Sequence, residues 1–502
     1  MTMLIVFTLA AIVVVFCRSQ RVEAVASANL AAALQASSVE RGAEQYVLAI
    51  LTEQKDSLAD ITQDYFAAVP VGEGFFWIVR PNYGDTDQPL FGLVDEAGKL
   101  NINTAEYEPL IRLPNMTDDV ANAIIDWRTE SSSGGSSNTS YSSLGYTAKH
   151  APFETVEEML LVQGMSRDLL YGANAGTGAA TDGGNGAAAA VPLGQAASFQ
   201  QSNSRMMSDL QTANGLYDLL TVYSNEPAGA TTTGTGSASG SGGGAAGGGG
   251  GKININQLDA AQTGGNTGRT GSAAGSTAAG RTGSSAAGAN AGTGDRDRLR
   301  QLLENQLGNT RGDQIVDSIG RGTRFVDVFD FYFKTGLKPD EFDKIFNSIT
   351  TTTGAAKGRI NVNTAPRDVL MTLPGLESSD VDKLIAQRQT ATSSATAGQA
   401  SMSWVATALD KKAVGLGTLI TSTSNQFSAD IVAVSGNGRA FKRVRIVIDA
   451  SSSSPQIIYR RELTDRGWPM DQQILASLRA GQGPGSAGNL SGLSSVPGGN
   501  AR

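Results

Sequence analysis

The sequence predicts an α+β protein with a long N-terminal apolar helix, an antiparallel sheet, and a large α-helical domain of repeated units inserted into that sheet. Three observations carry this. An apolar run opens the chain and continues as an amphipathic pattern. One motif, Gly98-Lys-Leu-Asn-Ile-Asn-Thr-Ala105, returns as Gly358-Arg-Ile-Asn-Val-Asn-Thr-Ala365 and, degraded, as Gly251-Lys-Ile-Asn-Ile-Asn256. Strand-like segments stand before the first copy and after the last.

The opening run spans Leu4 to Cys17 and includes Leu4, Ile5, Val6, Phe7, Ile12, Val13, Val14, Val15 and Phe16, with Thr8 its only polar residue. Arg18 and Arg21 follow. The run is short for a spanning helix and close to a signal-peptide core in length. No basic segment precedes it and no small-residue cleavage site follows. Ala43, Tyr46, Val47, Ile50 and Leu51 then recur at helical spacing. One helix is expected to about Asp60, its apolar part serving as a membrane and assembly segment. The alternative is a cleaved secretion signal joined to a separate helix.

Phe75 to Val79 and Pro89 to Val94 read as strands joined by the turn-rich Pro81-Asn-Tyr-Gly-Asp85. Each motif copy then reads as a short strand, a polar cap and an apolar helix. Asn103 or Thr104 is expected to cap the first helix. Leu110 and Leu113 begin its buried face and Pro114 ends it. Leu370, Leu373, Pro374 and Gly375 repeat this after Asn361, Asn363, Thr364 and Ala365. Pro109 would remove a hydrogen bond from a helix capped by Thr104, so that helix is expected to start late or to bend. A second hallmark recurs in all three units: Phe153 with Gly164, Phe325 with Gly336, and Trp404 with Gly415. The aromatic residue can anchor a helical hairpin, and the glycine can end a helix in a left-handed conformation.

The expected divisions follow. Residues 1–60 form the N-terminal helix and 61–103 the first strands. Residues 104–227 hold the first repeat and a linker, and 228–294 a Gly/Ser-rich insert around the degenerate motif. The second repeat occupies 295–357 and the third 358–424. Residues 425–470 supply strands that complete the sheet, with Gly436-Asn-Gly438 as a hairpin turn, and 471–502 form a tail. The tail and the tracts 228–250 and 260–294 are expected to stay disordered, because they hold almost no large apolar side chains.

The 502 residues carry a net charge of −8, one cysteine (Cys17) and one histidine (His150). That excludes an intrachain disulfide, Cys-based metal sites and multi-His chemistry. No nucleophile motif stands beside a base, and no enzyme is expected. Carboxylates gather at Asp327, Asp330, Asp340, Glu341 and Asp343, and at Asp85 and Asp87. Oxygen ligands suit Ca²⁺, but the spacing is not that of a calcium loop, and solvated faces or helix caps compete with that reading. The repeats are similar to helix-hairpin-helix modules, which hold phosphate on backbone N–H groups. Here Asp118, Asp119, Glu377 and Asp380 follow the turns Leu113-Pro-Asn-Met116 and Leu373-Pro-Gly-Leu376 and would repel phosphate, so no nucleic acid is expected.

The apolar N-terminal helix, the two full motifs, Asp126-Trp-Arg128 and Ala151-Pro-Phe-Glu-Thr-Val-Glu-Glu158 together resemble the minor pseudopilin K family of the bacterial type II secretion system (general secretion pathway protein K). Linkers and tail apart, the resemblance covers most of the chain. It implies a pilin-like sheet with an inserted domain of helix-hairpin-helix or SAM-like repeats. It implies a single N-terminal helix in the inner membrane, a head in the periplasm, and a precursor trimmed by the prepilin peptidase. The implied partners are minor pseudopilins I, J and H and the major pseudopilin. Calcium in the head is implied too, without ligands that map onto residues here. No leader with basic residues and a final glycine precedes Met1, so a processed or trimmed chain is expected. Counted from Met1, the fifth residue is Ile5, where shaft subunits carry a glutamate that offsets a neighbour's amine. The resemblance therefore implies a place at the fibre tip. The alternative function is a membrane-anchored periplasmic DNA-uptake protein with helix-hairpin-helix modules.

Overall fold

The computed structural model describes residues 2–54, 63–81, 90–130, 141, 145–172, 215–224, 252–258, 295–352, 358–394 and 401–484. Most of the expected turn 81–85, of the loop 131–143 and of the linker 172–200, both low-complexity tracts, Asp85 and Asp87, residues beyond 484 and the side chains of Leu4, Ile5 and Val6 lie outside the described residues. The expected tail 471–502 needs correction at its start, where Gln472–Arg479 is a helix that buries Leu475 and Leu478.

The chain begins as one helix, Thr2–Gln54. From Ala32 onward one stripe is buried: Ala32, Ala36, Val39, Ala43, Val47 and Leu51, at spacings of three and four. Before that, Met3, Phe7, Leu9, Ile12, Val13, Val14, Val15 and Phe16 are exposed. The expectation of a long apolar helix needs correction here. The helix is long, but Arg18 and Arg21 end its apolar run at Cys17, and among the described residues no helix is long and apolar enough to cross a membrane.

Strands β1 (Val69–Val71), β2 (Gly74–Arg80), β3 (Leu90–Phe91) and β4 (Val94–Asp95) follow. Three pairs of two-residue strands come next, each closing one helical module. In the first, β5 (Leu100–Asn101) pairs in parallel with β6 (Leu220–Thr221). In the second, β7 (Ile253–Asn254) pairs with β8 (Ile349–Thr350). In the third, β9 (Ile360–Asn361) pairs with β10 (Ile420–Thr421). The motif thus supplies the opening strand of each module, and the end of the module returns beside it. Parallel pairing requires a long crossover, which the helices provide.

The chain then adds β11 (Gln426–Val434), β12 (Phe441–Asp449) and β13 (Gln456–Glu462). β11 pairs antiparallel with β2 on one side and β12 on the other, so the sheet runs β1-β2-β11-β12-β13, with β3 on β2 and β4 on β11. The architecture is therefore α+β, with the modules emerging between β4 and β11. The β11–β12 turn uses Gly438 at φ 62°, and Ser435 N–H meets Ala440 O at 2.9 Å. β11 is buried along its whole length.

Two apolar cores result. One joins the helix stripe to Phe76, Ile78, Ile431, Ala433, Ile446 and their neighbours. The other runs through all three modules, from Leu100 to Ile420.

Candidate assembly helix and repeat motifs

Asparagines shape each motif. The first bends onto its own backbone: Asn101, Asn254 and Asn361 accept from the N–H two residues on, at 2.9, 2.9 and 3.0 Å. The second reaches the aromatic hallmark. Asn103 accepts from Phe153 N–H at 2.7 Å and donates to Phe153 O at 2.9 Å. Asn256 does the same with Phe325, at 2.8 and 3.0 Å. A primary amide offers the donor and acceptor that one backbone residue needs. In the third module Asn363 accepts instead from the indole Nε1 of Trp404 at 3.2 Å.

This corrects the expected cap. Neither Asn103 nor Thr104 caps a helix, because Asn103 is committed to Phe153. The next helix is Tyr107–Ile111, with Glu106 at the cap position and no side-chain cap bond. That late start leaves Pro109 within the first turn, where N–H groups have no partner inside the helix. Arg128 then donates to the carbonyls of Ile102 and Ala105. Arg388 donates to Val362 O and Ala365 O at 3.2 and 2.6 Å. Asn101, Ala105, Asn361 and Ala365 are buried.

Leu113 and Leu373 are buried ahead of the turns that Pro114 and Pro374 enter. The next residues, Asn115 and Gly375, hold φ of 57° and 75°. Both types tolerate that region. Gly164, Gly336 and Gly415 likewise hold φ of 82°, 61° and 100°, and Gly336 ends the helix Val328–Thr335 in left-handed geometry.

The two full motifs meet across a seam. Gly98 packs against Thr364, and Gly358 against Thr104. Arg112 of the first module donates to Leu373 O of the third at 3.1 Å. Asp95 and Glu96, which the sequence reading did not single out, anchor the seam to the sheet. Asp95 Oδ2 accepts from Asn361 Nδ2 at 2.8 Å and from the Thr364 and Ser424 hydroxyls at 2.5 Å each. Burial pushes its carboxyl up in spite of these neutral donors. Burial pushes Glu96 up as well, but Lys99 at 2.6 Å outweighs it, helped by the Ser428 and Thr221 hydroxyls, and holds that carboxyl below the usual range.

Four of the carboxylates considered for Ca²⁺, Asp327, Asp330, Glu341 and Asp343, are committed elsewhere. Asp327 caps the helix Val328–Thr335 through Phe329 and Asp330 N–H at 3.0 and 2.9 Å. Asp330 pairs with Lys334 at 2.7 Å and Glu341 with Arg311 at 2.9 Å. Asp343 accepts from Met402 and Ser403 N–H at 2.8 Å each, and Asp340 is exposed. Oxygens that face N–H, ammonium and guanidinium donors do not fit a cation site, and no acidic or His/Cys group that could hold a metal occurs among the described residues.

The N-terminal helix is fixed to the sheet by charge as well as packing. Glu40, fully buried, accepts from Arg460 Nη2 at 2.7 Å and lies 3.4 Å from Lys442 Nζ. Glu44 accepts from Arg460 Nε at 2.8 Å. The two carboxylates share one guanidinium. Burial pushes Glu40 up, but Glu44, Arg460 and Lys442 outweigh it and hold it low, whereas Glu44 is raised, chiefly by burial. A glutamate within the stripe Ala36, Val39, Ala43 was a readable signal.

A family model described as Type II secretion system (T2SS), protein K matches residues 360–417, which span the third module from β9 to the Gly415 loop. No curated protein and no solved structure matches the chain. The match relates the chain to components of type II secretion and to a pseudopilin-related role among them.

Proposed function

We propose that this chain is a minor pseudopilin at the tip of a type II secretion pseudopilus, contributing to protein export across the outer membrane. The observation that carries the reading is the division of the N-terminal helix. Residues Ala32 to Leu51 lie on the sheet, while the segment before them exposes Met3, Phe7, Leu9 and the run Ile12 to Phe16. An exposed apolar surface of this kind needs a lipid or protein partner. A fibre built from side-by-side apolar helices supplies one. The protein K match in the third module supports the same reading.

In this reading the helix is held in the inner membrane before assembly, with the head in the periplasm. The partners are minor pseudopilins I, J and H and the major pseudopilin, with the prepilin peptidase acting on the precursor. The chain has no catalytic role. A head with helical modules between β4 and β11 is too broad to stack repeatedly along a shaft, which favours the tip.

DNA uptake is less well supported, because carboxylates occupy the hairpin turns. Asp380 accepts from Glu377 N–H at 3.3 Å, and Asp118 holds the Tyr107 hydroxyl. Asp380 thus takes a backbone N–H that a phosphate would need, and both carboxylates would repel one. Imaging fibres assembled with a labelled head tests the proposal. One label at a fibre end supports it, and labels repeated along the length overturn it.

A further inference from the structure

The middle module enters and leaves the head at a single point. Gly358 donates its N–H to Ser224 O at 2.9 Å, so the two residues that flank the intervening chain are in contact. The seam between the outer modules runs through the same two residues. Ser224 Oγ accepts from Asn101 Nδ2 at 3.1 Å, and Gly358 packs on Thr104. The Arg112–Leu373 bond lies on that seam too. None of these groups comes from 225–357.

The described parts of the middle module, 252–258 and 295–352, close on themselves. β7 pairs with β8, and Asn256 clamps Phe325. Beside the shared apolar core and a bond from Arg359 Nη2 to Thr352 Oγ1 at 3.4 Å, attachment to the third module runs through two acids. Asp327 Oδ2 accepts from Gly415 and Gly417 N–H at 2.7 and 2.8 Å. Asp343 takes the Met402 and Ser403 N–H groups, with the Ser401 and Ser403 hydroxyls at 2.8 and 2.6 Å. Between them the helix Pro339–Ile345 packs on Ser403–Leu409.

We infer that the middle module, through its described residues 252–258 and 295–352, docks on the third module as a separate cooperative lobe, latched by Asp327 and Asp343, and that the sheet and outer modules form the frame of the head without it. Local units of this kind open with their own free energy, below that of global unfolding. Asp343 is the cleaner latch to test, since its hydrogen bonds go to the third module, whereas Asp327 also caps a helix of its own lobe.

Hydrogen exchange on the full chain tests this. In Asp343→Ala, amides in 295–352 and 401–417 should exchange about tenfold faster or more, while 74–80, 98–128 and 426–434 keep wild-type rates. Acceleration spread over the sheet and first module would overturn the inference. A second variant joins Ser224 to Gly358 through a short glycine link in place of 225–357. It should unfold in one cooperative transition with 98–128 still protected. A shortened chain with no cooperative transition and no protection there would equally overturn it.

Discussion

Gly358 of the third module and Thr104 of the first share one volume: a Cβ on Gly358 would overlap the Thr104 hydroxyl. Across the same seam, a Cβ on Gly98 would lie 2.8 Å from Thr364 Oγ1. The first residue of each full motif is therefore shaped by the seventh residue of the other. The degraded copy carries Gln257 in place of that threonine, so it lacks the side chain that the seam requires.

Gly358→Ala should destabilise the head by about 2–4 kcal/mol, because left-handed strain adds to overpacking. Gly358 holds φ 75°, whereas Gly98 has no such constraint, so Gly98→Ala should cost less, about 1–3 kcal/mol. Urea unfolding of both variants checks the order. Equal costs would mean that the left-handed backbone contributes nothing.

Asn103→Ala should leave the N–H and carbonyl of Phe153 without their partner and cost about 2–4 kcal/mol. Asn256→Ala should behave alike at Phe325. Asn363→Ala loses the Trp404 indole bond instead, and near 300 nm its tryptophan signal should change as well. Calorimetry with near-ultraviolet dichroism distinguishes the three. A cost under about 0.5 kcal/mol at Asn103 would show that water replaces the clamp.

The repeat was legible because its residues stand at constant spacing and make equivalent bonds: Arg128 and Arg388 both tie the turn, and Asn115 and Gly375 both take positive φ. The strands 426–434 and 441–449 were legible as apolar, β-branched segments around a glycine turn. The role of Asn103 was not, since a cap and a clamp use the same side chain, and only the position of Phe153 decides between them. Nor was the partner of each motif strand, because a two-residue strand carries no periodic signal. The partners of Asp95, Asp327 and Asp343 were hidden for a related reason. A carboxylate whose donors, side-chain groups for Asp95 and backbone N–H groups for Asp327 and Asp343, stand far along the chain looks in sequence like any surface acid.

Acid should weaken the sheet through Asp430. Its carboxylate, buried on β11, accepts from Arg443 Nε and Nη2 at 2.9 and 2.5 Å. Burial pushes the carboxyl up, but the Arg443 charge and hydrogen bonds, with Arg445 and Arg466, outweigh it and hold it low. A lowered folded value means that the contribution is complete above the unfolded range of about 3.9 and is lost as pH falls through the folded value. Asp430→Asn should cost about 3 kcal/mol near neutrality, since it leaves Arg443 without its charge partner. The difference between wild type and variant should shrink as pH falls below about 4. Chemical unfolding across pH reads this out, and a difference that stays constant into strong acid would sink it.

The hold of the sheet on the N-terminal helix should depend measurably on Glu40 and Arg460. Glu40 is the buried charge in an otherwise apolar stripe, and Arg460 reaches it from the edge strand β13 with 41% of its side chain exposed. A pair fully removed from water costs about 3–5 kcal/mol to break. Half-exposure of the guanidinium screens that, as does its second partner Glu44, so a coupling of about 1–2 kcal/mol is expected. A double-mutant cycle with Glu40→Gln and Arg460→Gln measures it directly. Glu40→Gln alone keeps the shape and a hydrogen-bonding amide, so any loss beyond the pair would trace to Lys442, the other cation beside Glu40. If the coupling falls within about 0.3 kcal/mol of zero, the helix is held by Ala36, Val39, Ala43 and Val47 alone. The buried glutamate would then set where the helix sits on the sheet without adding to how tightly it is held.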